Sequence, residues 1–460
     1  MTRRMFLWTM VLLAAALLLA ACKRQRPTAP PKPATTAAAP GAGSDTGQGQ
    51  GRGQPGEPIV LRVWGHQNPA FNKSDQAILA AFEKAHPNVK IKYETFPWDV
   101  FIQTLQAAIP AGEAADVVIL PGGNTCRFAR GGQLLEVPSA ILTMENRYDP
   151  FFPAPIDAQV CDGRLYGLPR EFNLEYGGAY VNRKYFEEAG LPYPPHWKTW
   201  EDVIADAKKL VKYDQEGNMS VAGLHFVNTD QLYTYFLAGI LEQGGKYFAE
   251  DGVHFVFNSP EAVRTIQKMV EMVQVHKVVD PVIFGENEWV GTSFAQGRVA
   301  IAVLGSWFAG TAKVAYPDLK FDYVPLPPFM GPEPRFTSVG GWAVVVTRTT
   351  RHPDVAWELA RFMAMEHENA LLFNGNTSTV PALRSVAEDP KLVEEAPVLK
   401  AVLPILKYGR YQGDLTDPHQ LQFDIIVPNI MDALRGLVTP EEAAQAIHEE
   451  ANAMVDQARR

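Results

Sequence analysis

The sequence is poor in the patterns that build metal sites and nucleic-acid interfaces. Its 10 histidines form no HExxH motif and no pair four residues apart, so neither a metal site nor a cofactor is predicted. Basic residues are also in deficit, since 42 lysines and arginines face 51 aspartates and glutamates, for a net charge of −9. We therefore do not expect nucleic acid as a partner, and the charge balance is typical of a soluble protein body.

Cysteine is scarce, with 3 in 460 residues. Cys22 ends the sequence LAAC at 19–22, which resembles the bacterial lipobox and predicts that Cys22 becomes the lipidated first residue of the mature chain. An ordinary signal peptide with a chance cysteine is the alternative. Cys126 and Cys161 then remain as an even pair in an oxidising compartment, which predicts a disulfide between them. Two free buried thiols are the other possibility.

The first 58 residues read as an export and anchoring segment. Arg3 and Arg4 precede an uncharged apolar run that ends in small residues, which predicts a signal peptide over residues 1–21. The start TRRMFL also resembles a twin-arginine signal, so the export route stays open. Residues 22–58 hold almost nothing large and apolar and predict a disordered Pro/Gly/Ala tether. The protein is expected outside the cytoplasm, lipid-anchored to the bacterial cell membrane.

About 400 residues follow the tether, which is more than one typical core and indicates two domains. Apolar strands alternate with helical stripes from Ile59 onward, in the order β-α-β-α-β. We predict that Ser74 caps the first of these helices, and that later helices begin after Thr199, Ser259 and Thr439. Alternation of this kind predicts an α/β fold with helices on both faces of the sheet.

Short segments spread over nearly all of residues 59–460 follow one another in a specific order. They are AFEKAHP at 81–87, FPWD at 96–99, DVV at 116–118, GRLYGLP at 163–169, YVNRKYF at 180–186, AGLP at 189–192, WED at 200–202, GSW at 305–307, VGGWA at 339–343, ALRG at 433–436 and TPEEA at 439–443. Each segment alone is a weak signal. In order and spacing together they resemble the family 1 extracellular solute-binding proteins, the group that includes maltose-binding protein.

The resemblance implies a two-lobed α/β fold, the type II periplasmic-binding-protein fold, with a ligand cleft between lobes joined by two or three crossings. The crossings are expected near residues 170–176, 308–320 and 373–380. The N-terminal lobe would hold residues 59–170 plus 320–374, and the C-terminal lobe residues 175–316 plus 378–460.

The implied function is that of the substrate-binding component of an ABC importer. Such a protein closes its hinged cleft around a carbohydrate, either a mono- or an oligosaccharide, and delivers it to the permease subunits in the membrane. The resemblance implies a monomer with no catalytic residues.

A sugar site needs aromatic rings for the apolar faces of the sugar and polar groups for its hydroxyls. Trp307 and Trp342 match family positions that commonly stack on sugar, and Gly341 leaves room for a ligand near the backbone. The remaining candidates follow strand ends, where ligands bind in open α/β sheets, or match other family contacts. The predicted ligand-binding residues are Trp64, His66, Asn68, Asn124, Glu171, Tyr176, Trp307, Gly341, Trp342 and Arg410, with Gln67 as a further polar group.

Other tryptophans are assigned to packing. Trp197, Trp200, Trp289 and Trp357 lie on predicted helix starts or helical stripes and are expected in the core. Trp98 is assigned to neither role.

Two other interpretations stay open. The same fold binds non-sugar solutes in related proteins, such as phosphate esters, polyamines, peptides or metals, although the predicted pocket loops offer few cations beyond Arg170 and Arg410. A secreted glycan-acting enzyme would need two carboxylates flanking the bond, and Glu171 with Glu175, or Asp157 with Asp162, are candidates. The sequence gives no distance between them.

Overall fold

The computed structural model describes residues 58–227, 229–281 and 289–459. The predicted signal peptide, Cys22 and nearly all of the predicted tether lie outside the described residues. Within the described ranges, no helix combines the length and the apolar composition that crossing a membrane requires.

Strands and helices alternate over most of the described chain. The described strands are β1 (Ile59–His66), β2 (Val89–Phe96), β3 (Val117–Pro121), β4 (Val160–Cys161), β5 (Arg164–Leu165), β6 (Leu168–Pro169), β7 (Gly178–Asn182), β8 (Lys212–Tyr213), β9 (Met219–His225), β10 (Val299–Val303), β11 (Phe321–Pro325), β12 (Phe336–Ser338), β13 (Trp342–Val346) and β14 (Gly409–Tyr411).

The helices connect these strands and cover the sheets. The described α-helices are α1 (Pro69–Ala85), α2 (Trp98–Ala111), α3 (Thr125–Arg130), α4 (Pro153–Asp157), α5 (Arg183–Glu188), α6 (Trp200–Leu210), α7 (Thr229–Glu242), α8 (Pro260–Val270), α9 (Val290–Ala295), α10 (Phe308–Ala315), α11 (Pro353–Ala364), α12 (His367–Thr377), α13 (Arg384–Ala387), α14 (Pro390–Glu395), α15 (Val427–Leu434) and α16 (Pro440–Ala458). Short π or 3-10 turns cover Glu271–Val275, Pro397–Ala401, Leu403–Tyr408 and Gln420–Ile426.

The first lobe is built on a five-stranded sheet of order β2-β1-β3-β13-β6. β1 runs parallel to β2 and to β3, while β13 is antiparallel to both β3 and β6. All five residues of β3, VVILP, are buried. A central strand covered on both faces needs such a continuous apolar run, which is why the sequence marks it clearly.

The second lobe is built on a separate five-stranded sheet of order β11-β7-β10-β9-β8. β10 lies at its centre, parallel to β9 and antiparallel to β7, and all five of its residues, VAIAV, are buried. Two sheets with packed helices confirm the two-lobed α/β architecture that the resemblance implied.

Most of the predicted helix starts are confirmed, and one is wrong. Thr199 and Thr439 each form a capping box with the acidic residue three positions later, and the Ser259 side chain accepts from Ala262 N. The first helix, however, begins at Pro69 and is capped by Asn68. Ser74 lies inside it and donates its hydroxyl to Ala70 O at 3.0 Å, a bond that a serine can make in mid-helix.

The first crossing between the lobes is residues 170–177, between β6 and β7. The second crossing is later than predicted. β11 pairs with β7, so the chain is still in the second sheet at Pro325, and the crossing runs over 326–341. The predicted boundary at 316/320 is therefore wrong.

The cause of the error is α10. This helix packs against α1 and α12 of the first lobe, although the chain then returns to the second sheet, so its contact with the first lobe does not mark a crossing. The second crossing instead carries β12, which pairs in parallel with β14.

The third crossing also lies later than expected. α12 packs on α1, and α14 packs on α12, so the chain remains with the first lobe beyond residue 378. The helices that begin at Val427 and Pro440 pack on α8 of the second lobe.

A disulfide joins Cys126 on α3 to Cys161 on β4, the pairing that the sequence predicted. Both cysteines are buried in a cluster of the first lobe together with Trp64 and Phe101. The bond closes a loop with a sequence separation of 35 residues, so it restricts the unfolded chain and ties α3 to the β4–β5 hairpin.

We expect the double substitution Cys126→Ala/Cys161→Ala to lower the free energy of unfolding by about 3–4 kcal/mol, because the loop-closure entropy returns to the unfolded chain. Urea denaturation of both proteins, followed by far-UV circular dichroism, measures the difference. The same denaturation midpoint in both proteins would show that the bond adds no stability.

Candidate ligand-binding site

A cleft of about 700 Å³ lies between the two sheets. His66, Gln67 and Asn68 enter it at the end of β1, and Pro121, Gly122 and Asn124 at the end of β3. Glu171, Asn173 and Glu175 of the first crossing and Trp307 after β10 complete much of the lining. Most of these groups sit just beyond the carboxyl ends of strands, where open α/β sheets bind ligands.

The wall on the first lobe is aromatic. The imidazole of His66 stacks on the indole of Trp342, with ring centroids 4.4 Å apart and planes 13° apart. Trp98 packs edge-on against Trp342 at 5.9 Å and is 43 % exposed. These three rings, the first platform, present an apolar surface to the cleft.

The wall on the second lobe carries a matching pair. Trp289 and Trp307 stack with centroids 5.6 Å apart and planes 16° apart. Both indoles line the cleft and are half-buried. We call this pair the second platform.

Two carboxylates on the first crossing hold these tryptophans. Glu171 Oε1 accepts from the backbone N of Trp342 at 2.7 Å. Glu175 Oε1 accepts from the indole Nε1 of Trp307 at 2.5 Å. Because the two glutamates are four residues apart on one segment, each platform is tied to the same crossing.

Each carboxylate accepts further hydrogen bonds. Glu171 Oε2 accepts from Asn173 N at 2.6 Å, and Glu175 Oε2 accepts from Gly305 N at 2.9 Å and from Gln231 Nε2 at 2.8 Å. The oxygens of both groups therefore hold parts of the protein in place around the cleft. In the enzyme interpretation, two such carboxylates would instead react with a glycosidic bond.

Burial shifts the protonation of the cleft groups. It raises the pKa of Glu171 to about 7 and, together with repulsion from Asp230, raises the pKa of Glu175 to about 8. The pKa of Asp230 is also raised by burial. Burial lowers the pKa of His66 to about 4, so this ring is neutral at pH 7.

The described cleft lining contains acidic side chains but no lysine or arginine. The acidic side chains are those of Glu171, Glu175 and Asp230. The described residues also contain no group of three or more His, Cys, Asp or Glu side chains arranged to hold a metal ion. The surface suits a ligand with apolar faces and hydroxyls and disfavours one with several anionic groups.

The cleft brings together seven of the ten predicted site residues. These are His66, Asn68, Asn124, Glu171, Trp307, Gly341 and Trp342, and Gln67 joins them.

Asn68 and Gly341 each have a structural role that the sequence did not reveal. The Asn68 side chain caps α1 and also donates to Thr311 Oγ1 at 3.3 Å. A Cβ added at Gly341 would lie 2.0 Å from Glu171 O, and the backbone φ of Gly341 is +67°. Close packing against the first crossing, rather than room for a ligand, therefore requires glycine there.

Three predicted site residues lie outside the cleft lining. Trp64 is 5 % exposed in the first-lobe core, where its indole donates to Glu94. Tyr176 is 2 % exposed, stacks on Phe336, and donates its hydroxyl to Glu242. Arg410 on β14 is exposed to solvent.

Trp64 lies inside β1, which continues to His66, so its side chain packs in the first-lobe core, whereas His66 at the end of the strand reaches the cleft. Gln412, two residues after Arg410, lines the cleft in its place.

The structure adds residues that the sequence analysis missed. Trp289, assigned to packing, forms the second platform, and Trp98 belongs to the first. Glu175 is named in the sequence predictions only as a carboxylate of the enzyme interpretation. Asp230, Tyr233, Gln412 and Gln422 also line the cleft. They come from distant parts of the chain, and no local motif marks them.

The fold and the cleft define a two-lobed binding protein. Residues 68–366 match the family described as bacterial extracellular solute-binding protein, and the chain belongs to this family.

Two curated relatives and one solved structure show the similarity. The galactooligosaccharide-binding protein of Bacillus subtilis is 25% identical over 342 residues, which cover 73% of this chain and 75% of that protein. The arabinooligosaccharide-binding protein of the same organism is 27% identical over 291 residues, 61% of this chain and 64% of that protein. An ABC substrate-binding protein from Listeria monocytogenes, solved with cycloalternan, has a TM-score of 0.73 at 23% identity and covers 87% of this chain and 100% of that chain.

We expect the free energy of unfolding to fall as the pH rises from 6.5 to 8. Glu171 and Glu175 have pKa values raised from 4.5 to about 7 and about 8, so the folded protein binds more protons than the unfolded chain in this range. His66, whose pKa is lowered from 6.5, affects stability mainly below this window.

The variant Glu175→Gln should show a shallower decline over the same range, because one of these titrating groups is gone. Urea denaturation at a series of pH values measures both slopes. Equal slopes in the two proteins would contradict the assignment of Glu175.

Proposed function

We propose that this protein is the substrate-binding component of an ABC importer, which captures a carbohydrate in the cleft and delivers it to the permease subunits. The observation that carries the proposal is the pair of tryptophan platforms, one on each wall of a cleft of about 700 Å³. Indole faces suit the C–H faces of sugar rings. The family membership and the sugar-binding names of its relatives support it.

The polar lining supports a neutral ligand. Asn124, Tyr233, Thr337 and Gln412 offer donors and acceptors to hydroxyl groups at the cleft surface. The relatives' names point to oligosaccharides, so the first probes are galactotriose and arabinotriose, with maltotriose and diacetylchitobiose as two further neutral sugars. A bound sugar raises the apparent stability, by about 2.7 kcal/mol at a hundredfold excess over Kd.

A thermal-shift screen with these probes tests the function. A rise in the unfolding temperature with at least one neutral sugar supports it. No shift with any sugar, together with a shift from a phosphate ester, a polyamine or a peptide, would replace the carbohydrate with that class of solute.

The substitutions Trp307→Ala and Trp342→Ala should each weaken sugar binding at least tenfold, about 1.4 kcal/mol, because each removes a stacking surface. Isothermal titration calorimetry with the sugar found in the screen measures both affinities. Tyr213→Ala is the matched control, since this aromatic side chain is 55 % exposed and lies outside the described cleft lining. Unchanged affinity in both tryptophan variants would place the ligand elsewhere.

We further propose that the mature protein is a monomer held at the outer face of the cell membrane by a lipid on Cys22. The support is the LAAC sequence after an apolar run, followed by the Pro/Gly/Ala segment to residue 58. The lipid would keep the cleft near the permease while the tether lets it sample the surroundings.

The substitution Cys22→Ala should abolish incorporation of labelled palmitate and release the protein from the membrane fraction, because the acylated side chain is lost. Labelling of cells that produce each form, followed by membrane fractionation, measures both effects. Persistent label in the variant would exclude Cys22 as the anchor.

A further inference from the structure

At one end of the cleft, segments of the two lobes approach each other closely. On the first lobe, Gly122 and Asn124 line the cleft, and on the second lobe Gln412 and Pro418 line it opposite. A Cβ added to Gly123 would lie 3.6 Å from both Gln412 Nε2 and Pro418 Cγ, which is ordinary van der Waals contact. We call this contact between 122–130 and 412–418 the seam.

The segment 412–418 is fixed to the second lobe. The Tyr233 hydroxyl donates to Gln412 Oε1 at 2.8 Å, and the Tyr247 hydroxyl donates to Gln412 O at 2.6 Å. Further along, Gln422 Nε2 donates to Asp230 Oδ1 at 2.7 Å. These hydrogen bonds attach the segment to α7 and to Tyr247 of the second lobe.

Arg130, the last residue of α3, crosses the seam. Its guanidinium contacts Asp162 of the same lobe, with Nη2 to Oδ1 at 2.9 Å and Nε to Oδ2 at 3.2 Å. It also contacts Asp414 of the opposite lobe, with Nη1 to Oδ1 at 3.2 Å and Nη2 to Oδ2. Two bidentate pairs on one guanidinium give a fixed geometry that a single point charge does not.

The disulfide places both first-lobe members of this cluster. Cys126 lies four residues before Arg130 on α3, and Cys161 directly precedes Asp162. Residues four apart share a helix face, so the bond holds Arg130 beside Asp162 and aims it at the seam.

We propose that Arg130 is a positioning residue that holds segment 412–418 across the seam through Asp414, and so stabilises the closed cleft around its ligand. The part of this proposal that concerns the ligand rests on the proposed function. Asp162 orients the guanidinium from within the first lobe, and Asp414 is the partner that opening of the lobes would separate.

The two acidic partners make a matched pair of variants. Asp414→Asn removes the interlobe partner, whereas Asp162→Asn removes an equivalent contact inside one lobe. The side chains are 45 % exposed for Arg130 and 40 % for Asp414, so each effect is expected to be modest and to shrink in salt.

Hydrogen exchange of the ligand-free protein tests the seam without any sugar. Peptides that cover residues 412–423 should exchange faster in Asp414→Asn and Arg130→Gln than in the original protein. Asp162→Asn should change these peptides less. In 1 M NaCl the original protein should approach Asp414→Asn, since the Debye length is then about 3 Å.

Stopped-flow tryptophan fluorescence, with galactotriose as the probe, tests the effect on binding. Asp414→Asn should raise the dissociation rate about threefold to fivefold, because opening of the loaded cleft no longer has to break this pair. The charge exchange Arg130→Asp/Asp414→Arg should restore a slow dissociation, since the new arginine again has two acidic neighbours.

The outcomes separate this proposal from the proposed function. Unchanged exchange in Asp414→Asn, or equal effects of Asp414→Asn and Asp162→Asn, would overturn the role of the interlobe pair. A charge-exchange variant that dissociates as fast as Asp414→Asn would do the same. If galactotriose does not bind, the exchange experiment still decides whether the pair holds the seam, and the sugar assignment is judged by the screen alone.

Discussion

The cleft depends on the buried carboxylate of Glu175. This group is 7 % exposed and accepts hydrogen bonds from the indole of Trp307, from Gly305 N and from the side chain of Gln231. A buried carboxylate is costly unless its oxygens are satisfied, so these donors and the position of the indole are mutually fixed. Glu171 makes the equivalent bond to the backbone of Trp342, and one crossing therefore sets the orientation of both walls.

The same crossing is anchored to the first lobe by a second buried charge. Arg170 pairs with Asp75 on α1 at 2.7 Å, with side-chain exposures of 2 % and 3 %. Its guanidinium lies 3.7 Å from the centre of the Phe373 ring on α12, and Asp75 also accepts from the Tyr93 hydroxyl. Breaking such a pair leaves an uncompensated charge, so the start of the crossing is held firmly. The first crossing is thus held to the first lobe by Arg170 and to Trp307 of the second lobe by Glu175.

These constraints also explain what kind of ligand the cleft suits. Carboxyl groups line the cleft. Arg170, which directly precedes Glu171, forms a buried ion pair with Asp75 and does not line the cleft. The fixed indole faces are then the main attractive surface, with neutral amides and hydroxyls around them. A neutral polyol meets this arrangement better than a phosphate ester does, because an anion would meet acidic side chains in the lining and no described cation beside them.

The sequence determined the order of strands and helices along the alternating segments, the helix caps at Thr199 and Thr439, the disulfide partners, and the position at the cleft of residues such as His66 and Asn124 that lie at or just beyond strand ends. Those features depend on neighbours in the chain: apolar periodicity, side-chain caps and the edge where parallel strands end. Only the tertiary structure decided that β11 belongs to the second sheet, that Trp64 faces the core, and that Trp289 and Glu175 build the second wall. Those outcomes depend on strand pairing, on where each strand ends, and on contacts between residues far apart in the chain, such as Glu175 and Trp307, which are 132 positions apart. Local sequence patterns do not specify such contacts.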